Sequence, residues 1–280
     1  VLLVGLLAAS AQAAVFPITP LNFDVAESNM LLPAAANATS VAYDNGDLYP
    51  GNPDHGWPAF NGGYGYGAWT PLADTGGGGT YMEGVGVNNR QVEGNYSFAL
   101  YAGGGSYDIS RPLASSMTSG VFEIDTRFDI AGAGPNLVSF RAGNNTSSFA
   151  AGELLSFGIV NGNELSYTDG AGFHLLASGE ARGGRWQWLV EFDAAAGQYW
   201  AWVDNMDGGF SDEFSGNLEA SGTSADSFAV INSSTGNNQN VMFDVPTFST
   251  VTPEPSTLAL LGAGGIALWA CAWRRRKQRV

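Results

Sequence analysis

The chain has 280 residues, 45% of them hydrophobic, and 26 acidic against 11 basic residues give a formal net charge of -15. That apolar share is enough for a packed core and argues against wholesale disorder. A single Cys and two His, His55 and His174, exclude a disulfide scaffold and a Cys-ligated zinc site, and make Ser-His or Cys-His catalysis a poor expectation.

The first residues, Val1 to Ala9, form a short apolar run that ends in Ala11-Gln12-Ala13. Small-x-small after such a run is the second half of a secretory signal peptide, so residues 1–13 are predicted to be one. The run is too short to span a bilayer. It has neither an initiator Met nor a basic leader, which is the pattern expected where the start of the signal is missing. Residues 14–40 follow as an N-terminal extension.

From Val121 to Ile130, Phe122, Ile124, Phe128 and Ile130 alternate with Glu123, Asp125, Arg127 and Asp129. Period two of this kind marks a half-buried strand. Trp186 to Phe192 alternates in the same way and pairs back through Ala194-Ala195-Ala196-Gly197 to a strand from Tyr199 to Asp204. Leu154 to Val160 and Glu164 to Thr168 flank Asn161-Gly162-Asn163, a hairpin signal. Tyr96 to Tyr101, Leu137 to Arg141, Phe228 to Ile231 and Val241 to Phe248 add further strands. No long helical period occurs between these runs. The pattern predicts an all-β, antiparallel jelly-roll sandwich over residues 41–250, with the run Gly76 to Gly79 as a flexible loop within it. Trp186, Trp188, Trp200 and Trp202, in alternating strands, are expected in the core.

At the other end, Pro253-Glu254-Pro255 precedes 17 apolar or small residues from Thr257 to Trp273, followed by Arg274, Arg275, Arg276, Lys277 and Arg279. As a helix that stretch reaches roughly 25 Å, the short end of what crosses a hydrocarbon core. The basic cluster would stop it on the cytoplasmic side and leave the body across the membrane. Motif, short helix and Arg cluster, in that order over residues 251–280, resemble the PEP-CTERM sorting signal of Gram-negative bacteria. The resemblance implies a substrate of exosortase, a membrane protease that would cut near Pro253-Glu254-Pro255. It also implies export to the cell envelope, outer surface or matrix, and association with exopolysaccharide and biofilm. A permanent membrane anchor is the alternative reading of the same tail.

With the tail set aside, six Arg, no Lys and 25 acidic residues leave the body at -19. Such a surface repels phosphate backbones, which excludes nucleic-acid binding. Residues 121 to 248 resemble concanavalin A-like, LamG-type jelly rolls. The resemblance is carried by Phe122 to Phe128, by Gly183-Gly184-Arg185-Trp186, by Tyr199 to Asp204 and by Val241 to Val245. It implies two facing sheets and a concave face where sugars or calcium bind. Upstream, Tyr43-Asp44-Asn45-Gly46, Gly56-Trp57, the run Asn61 to Trp69 and Phe98 to Ala102 look like a segment of other exported PEP-CTERM proteins.

Three groups of residues invite a chemical reading. Glu123-Ile124-Asp125 is similar to the opening of the jelly-roll β-glucanase strand, but Arg127 and Phe128 stand where that pattern needs a third carboxylate. Asp129 lies two strand intervals from Asp125, about 13 Å along the strand. Retaining hydrolysis needs carboxyls about 5 Å apart, so Glu123, Asp125, Arg127 and Asp129 read instead as an outward polar face. Asp204, Asn205 and Asp207 place oxygen donors in a turn that calcium could use, though Asp and Asn also favour turns for their own sake. Trp57, Tyr64, Tyr66 and Trp69, in a Gly-rich stretch, either stack on sugar rings or plug the sandwich. The expected function is that of a non-catalytic exported protein associating with extracellular polysaccharide. The alternatives are a secreted glycan hydrolase and a purely structural or adhesive matrix protein.

Overall fold

The computed structural model describes residues 38–49, 57, 61–84, 91–92, 94–129, 135–143, 152–161, 163–179, 183–233 and 239–251. Its strands, numbered in chain order, belong to one compact unit, Thr39–Thr252. Residues 1–13, expected as a signal peptide, the motif Pro253-Glu254-Pro255, the apolar stretch expected as a helix and the basic residues Arg274 to Arg279 lie outside the described residues.

Two antiparallel sheets face each other. The first has eight strands: β13 (Ser211–Asn217), β12 (Gln198–Asn205), β11 (Arg185–Asp193), β6 (Ser119–Asp129), β15 (Gln239–Val251), β4 (Tyr96–Ala102) and β3 (Gly79–Gly84) in that order, with β1 (Ala38–Tyr43) also pairing β15. The second orders β10 (Gly172–Ser178), β9 (Glu164–Asp169), β8 (Glu153–Val160), β7 (Asn136–Arg141), β14 (Ala225–Ser233), β5 (Ser106–Met117) and β2 (Thr70–Asp74). This is the all-β sandwich that the alternating runs predict. The core lies between the inner faces. Phe122, Ile124 and Phe128 of β6 and Trp186, Trp188 and Phe192 of β11 are buried against the aromatics of the second sheet. Phe157 stacks on Trp188 with centroids 4.6 Å apart, and Phe140 meets Phe192 at 5.1 Å.

Six strands are not evident from alternation: β1, β2, β3, β5, β10 and β13. β5 shows why. Its buried run includes Arg111, at 1% exposure, where a hydrophobic residue would be expected. Arg111 reaches the carboxylate of Asp44, itself fully buried. Its Nε donates to the Gly67 carbonyl at 3.0 Å and Nη2 to the Gly62 carbonyl at 2.8 Å. The guanidinium also sits 4.8 Å from the ring centroids of both Tyr66 and Trp69. Tyr49 Oη donates to the same carboxylate at 2.8 Å and accepts from Trp69 Nε1 at 3.0 Å. One ion pair therefore ties the chain before β2 onto β5.

The run Gly76 to Gly79 joins β2 of one sheet to β3 of the other. It is a held crossing, not a flexible loop. Asp74 Oδ1 accepts from the Gly77 and Gly78 amides at 3.0 and 3.1 Å, and a Cβ on Gly76 would lie 2.2 Å from the Gly105 nitrogen. Only glycine allows the two backbones to pass so closely.

Burial pushes the Arg111 pKa down to about 10, so it stays charged at neutral pH and needs its partner. Removing one member of such a pair strands a buried charge and costs about 3–5 kcal/mol. Asp44→Asn and Arg111→Met are each expected to lower unfolding stability by that amount in denaturant titration. The paired change Asp44→Leu with Arg111→Met should recover most of the loss.

Candidate functional site

The residues of β6 opposite the core side, Glu123, Asp125 and Arg127, lie on the outer face of the eight-stranded sheet. Register sets their neighbours. Glu123 faces Leu189 of β11, which faces Trp202 of β12; Asp125 faces Gln187, which faces Asp204. Glu191 pairs with Trp200 on one side and Val121 on the other. Glu123 and Glu191 are therefore diagonal neighbours on adjacent strands, with Cα atoms about 7–8 Å apart. Gln187 Nε2 donates to Glu123 Oε1 at 3.0 Å, which orients that carboxylate. Glu191 Oε2 is buried and accepts no hydrogen bond, and burial pushes its pKa up.

Trp200 and Trp202 stand beside these acids. Tyr199, Ala201 and Val203 of β12 fill the core, so the two Trp residues, at the other parity, face outward and remain half-buried. The core location expected for them is corrected by this register. They are spaced about 6.8 Å along the strand, and Trp202 Nε1 is anchored by Ser211 Oγ at 2.9 Å. Two half-buried indoles on one side of the strand, next to Gln187, Glu123 and Glu191, put aromatic surface and hydrogen-bonding groups side by side. Sequence reasoning missed it. The usable signal was that Gln198 and Asp204 share the parity of Trp200 and Trp202, which marks that side of the strand as polar.

Of the two readings of Trp57, Tyr64, Tyr66 and Trp69, the structure builds the plug of the sandwich and not a sugar-stacking platform. Trp57 is 1% and Trp69 5% exposed, and they meet edge-on at 4.6 Å in a cluster with Phe98, Phe228 and Phe243. Tyr66 donates to the Pro246 carbonyl at 2.9 Å and packs edge-on against Phe228, which leaves Tyr64 as the exposed member. The glycines between them serve close packing of the chain on itself. Tyr64 exchanges both backbone hydrogen bonds with Tyr43, and a Cβ on Gly63 or Gly65 would fall 2.2 or 2.0 Å from a β1 carbonyl oxygen.

In the turn after β12 the oxygen donors serve separate partners. Asp207 accepts from Arg185 Nε and from the Arg185 amide, both at 2.9 Å. Burial raises its pKa, but the Arg185 hydrogen bonds and charge outweigh that and hold it below the usual range. Asn205 Oδ1 accepts from the Asp207 amide at 3.0 Å, while burial pushes Asp204 up. Among the described residues no three acidic, His or Cys side chains converge on a metal position. Both carboxylate oxygens of Asp207 are thus taken up by Arg185.

Residues 251–277 match the model of the PEP-CTERM protein-sorting motif. That match identifies the C-terminal segment as a sorting signal of exported proteins. No curated protein matches the chain. Among solved structures, the globular domain of T. cruzi calreticulin is similar at 12% identity, over 76% of this chain and 95% of that one, with a TM-score of 0.46. Arcelin-5, a lectin-like defence protein from Phaseolus vulgaris, is similar at 7% identity, over 78% and 100%, with a TM-score of 0.45. The lectin UEA-II, solved with galactose, is similar at 8%, over 76% and 100%, at 0.45. These likenesses concern the two-sheet architecture alone.

Burial raises the pKa of Glu191, Asp204, Asp108, Glu153 and Glu219. A carboxyl raised in the folded state favours folding below its unfolded pKa of about 4 and loses that advantage as pH climbs through the folded value. Melting temperature is therefore expected to fall as pH rises above about 4. Glu191→Gln should make that fall shallower, while Asp207→Asn, which removes a carboxyl already ionised in both states above about pH 4, should lower the melting temperature without changing the slope there.

Proposed function

We propose that this is a non-catalytic protein sorted to the cell envelope or extracellular matrix, which associates there with exopolysaccharide through the Trp200 and Trp202 face. The sorting-motif match over residues 251–277 carries the first half of this reading. In it, exosortase cuts near Pro253-Glu254-Pro255 and the apolar helix holds the chain in the inner membrane until then. The half-buried Trp pair, beside hydrogen-bonding Gln187 and Glu123, supports the second half. A body with 25 acidic residues, six Arg and no Lys repels acidic polymers, so a neutral glycan is the ligand class.

A hydrolase reading would draw on Glu123 and Glu191, an outward carboxylate pair that the register brings near the two Trp residues. A reducing-end assay on neutral β-glucans is expected to show no turnover. Turnover abolished by Glu123→Gln would replace binding with hydrolysis as the function.

Two measurements test the main reading. Mass spectrometry of the mature protein should show a C-terminus near residue 255 in cells with exosortase and an intact Arg-rich tail without it; an intact tail in both cases refutes the sorting step. In a pull-down with insoluble neutral glucan, Trp200→Ala and Trp202→Ala should each weaken binding about ten-fold or more, as expected for aromatic anchors. Unchanged binding would remove the face from the proposal.

A further inference from the structure

The outer face of the eight-stranded sheet carries a second group of polar residues, at the end remote from Trp200 and Trp202. Register aligns them in one row. Glu83 of β3 pairs with Ser97 of β4, the pairing of Phe98 with Phe243 puts Ser97 beside Asp244 of β15, and Asp244 pairs with Asp125 of β6. Met82, Phe98, Phe243 and Ile124 belong to the core, so the row, at the other parity, points away from it. Its residues are buried nonetheless, Glu83, Ser97 and Asp244 at 0% and Asp125 at 3% exposure. A stretch of chain before β4 lies over this end of the face. The Val92 amide donates to Ser97 Oγ at 2.9 Å, and Val92 packs with Ala99 and Met242 on the same outer side.

Hydrogen-bond donors reach part of the row only. Asp244 Oδ1 accepts from the Gly46 and Val245 amides, both at 2.9 Å, and Oδ2 accepts from Ser97 Oγ at 3.1 Å. Both oxygens of Glu83 are buried and accept no hydrogen bond among the described residues; the same holds for Oε1 of Gln91, next to Val92. The described Arg residues of this face, Arg127 and Arg185, stand on β6 and β11, three and four strands from β3. At about 4.8 Å per strand, the nearer backbone is about 14 Å from that of Glu83. A carboxylate taken out of water is paired, hydrogen-bonded or bound to a metal. The first two are not supplied to Glu83 by the described residues.

We infer that Glu83 anchors a calcium ion on this face, with Gln91 Oε1 as a further ligand and with backbone carbonyls and water filling the remaining positions. Calcium takes about six to eight oxygen ligands in irregular arrangements, binds one carboxylate through both oxygens and accepts amide carbonyls. A single carboxylate with neutral oxygens is a different construction from three convergent acids, which the described residues lack. Asp244 and Asp125 along the row, and a body at -19, draw cations to the face. With one carboxylate in direct contact, the affinity belongs at the weak end of calcium sites, about 10⁻⁴–10⁻³ M, where extracellular modules operate.

The test is equilibrium dialysis of the full chain in detergent against about 3 mM calcium, in about 0.15 M salt to screen diffuse attraction. One calcium per chain is expected, and calcium should raise the melting temperature by about 2–6 °C while equal magnesium does not. Glu83→Gln, which keeps the size of the side chain, should bind none and lose the rise. Gln91→Ala should weaken binding about ten-fold. Asp207→Asn, in the turn after β12, should keep both the ion and the rise. No calcium on the wild type overturns the inference. Binding that survives Glu83→Gln, is unaltered by Gln91→Ala or fails in Asp207→Asn also overturns it, because the ion would then sit elsewhere on the acidic surface.

Discussion

A buried positive charge organises this sandwich. Arg111 occupies a core position on β5, and a guanidinium cannot remain there without a counter-charge and hydrogen-bond acceptors. Asp44 supplies the charge, the Gly62 and Gly67 carbonyls supply acceptors, and the Tyr66 and Trp69 rings cover the cation. Every one of these partners comes from the segment before β2. The described residues of that segment are rich in glycine and hold little regular structure beyond β1 and the short turn Gly46–Leu48. The ion pair selects its path, and Trp57 and Trp69 then fill the space between Phe98, Phe228 and Phe243. Replacing the pair with hydrophobes could match its stability but would not demand the same path, which is where a buried pair contributes most.

A second acid repeats the device on the last strand. Asp244 Oδ1 accepts from the Gly46 amide at 2.9 Å and Oδ2 from Ser97 Oγ at 3.1 Å. Just beyond it the register of β15 against β6 shifts between Asp244 and Thr247, and Val245 takes a positive φ of 51°. Such a bulge re-aims a strand. Here it falls where β15 stops pairing with β4 and where the Pro246 carbonyl receives the Asp44 amide at 3.2 Å. The two acids therefore couple the first described residues to the last strand, so the sandwich closes on its own ends.

How far this was legible in the sequence follows from how regularly each strand alternates. β6, β8, β11, β12 and β15 were visible because their core residues recur at period two. β5 was not, because its buried Arg111 and surface-like Ser and Pro residues break that period for a reason located some 67 residues earlier in the chain. β10 and β13 escaped because border strands bury little and so carry a weak pattern. The candidate site divides in the same way. Composition marked aromatic residues as important but not their side: Trp57 and Trp69 went to the core by tertiary packing, while Trp200 and Trp202 went outward because Tyr199, Ala201 and Val203 took the inner positions. Pairing register decided this, and a single sequence states register only through turn lengths and parity. The C-terminal signal was the opposite case, since its order of motif, apolar run and basic cluster is local and needs no fold to be read.

The proposed Trp200 and Trp202 face belongs to the eight-stranded sheet. Two indoles with few fixed hydrogen-bond donors are a weak anchor for any one glycan chain. On the proposed reading this weakness is tolerable, because a polysaccharide repeats the same ring face along its length and a released protein meets the next repeat before it diffuses away; holding then depends on the density of repeats more than on the affinity of one contact. The acidic body acts in the same direction: it is repelled by acidic polymers and by its own neighbours, which leaves neutral chains as the surface on which it settles.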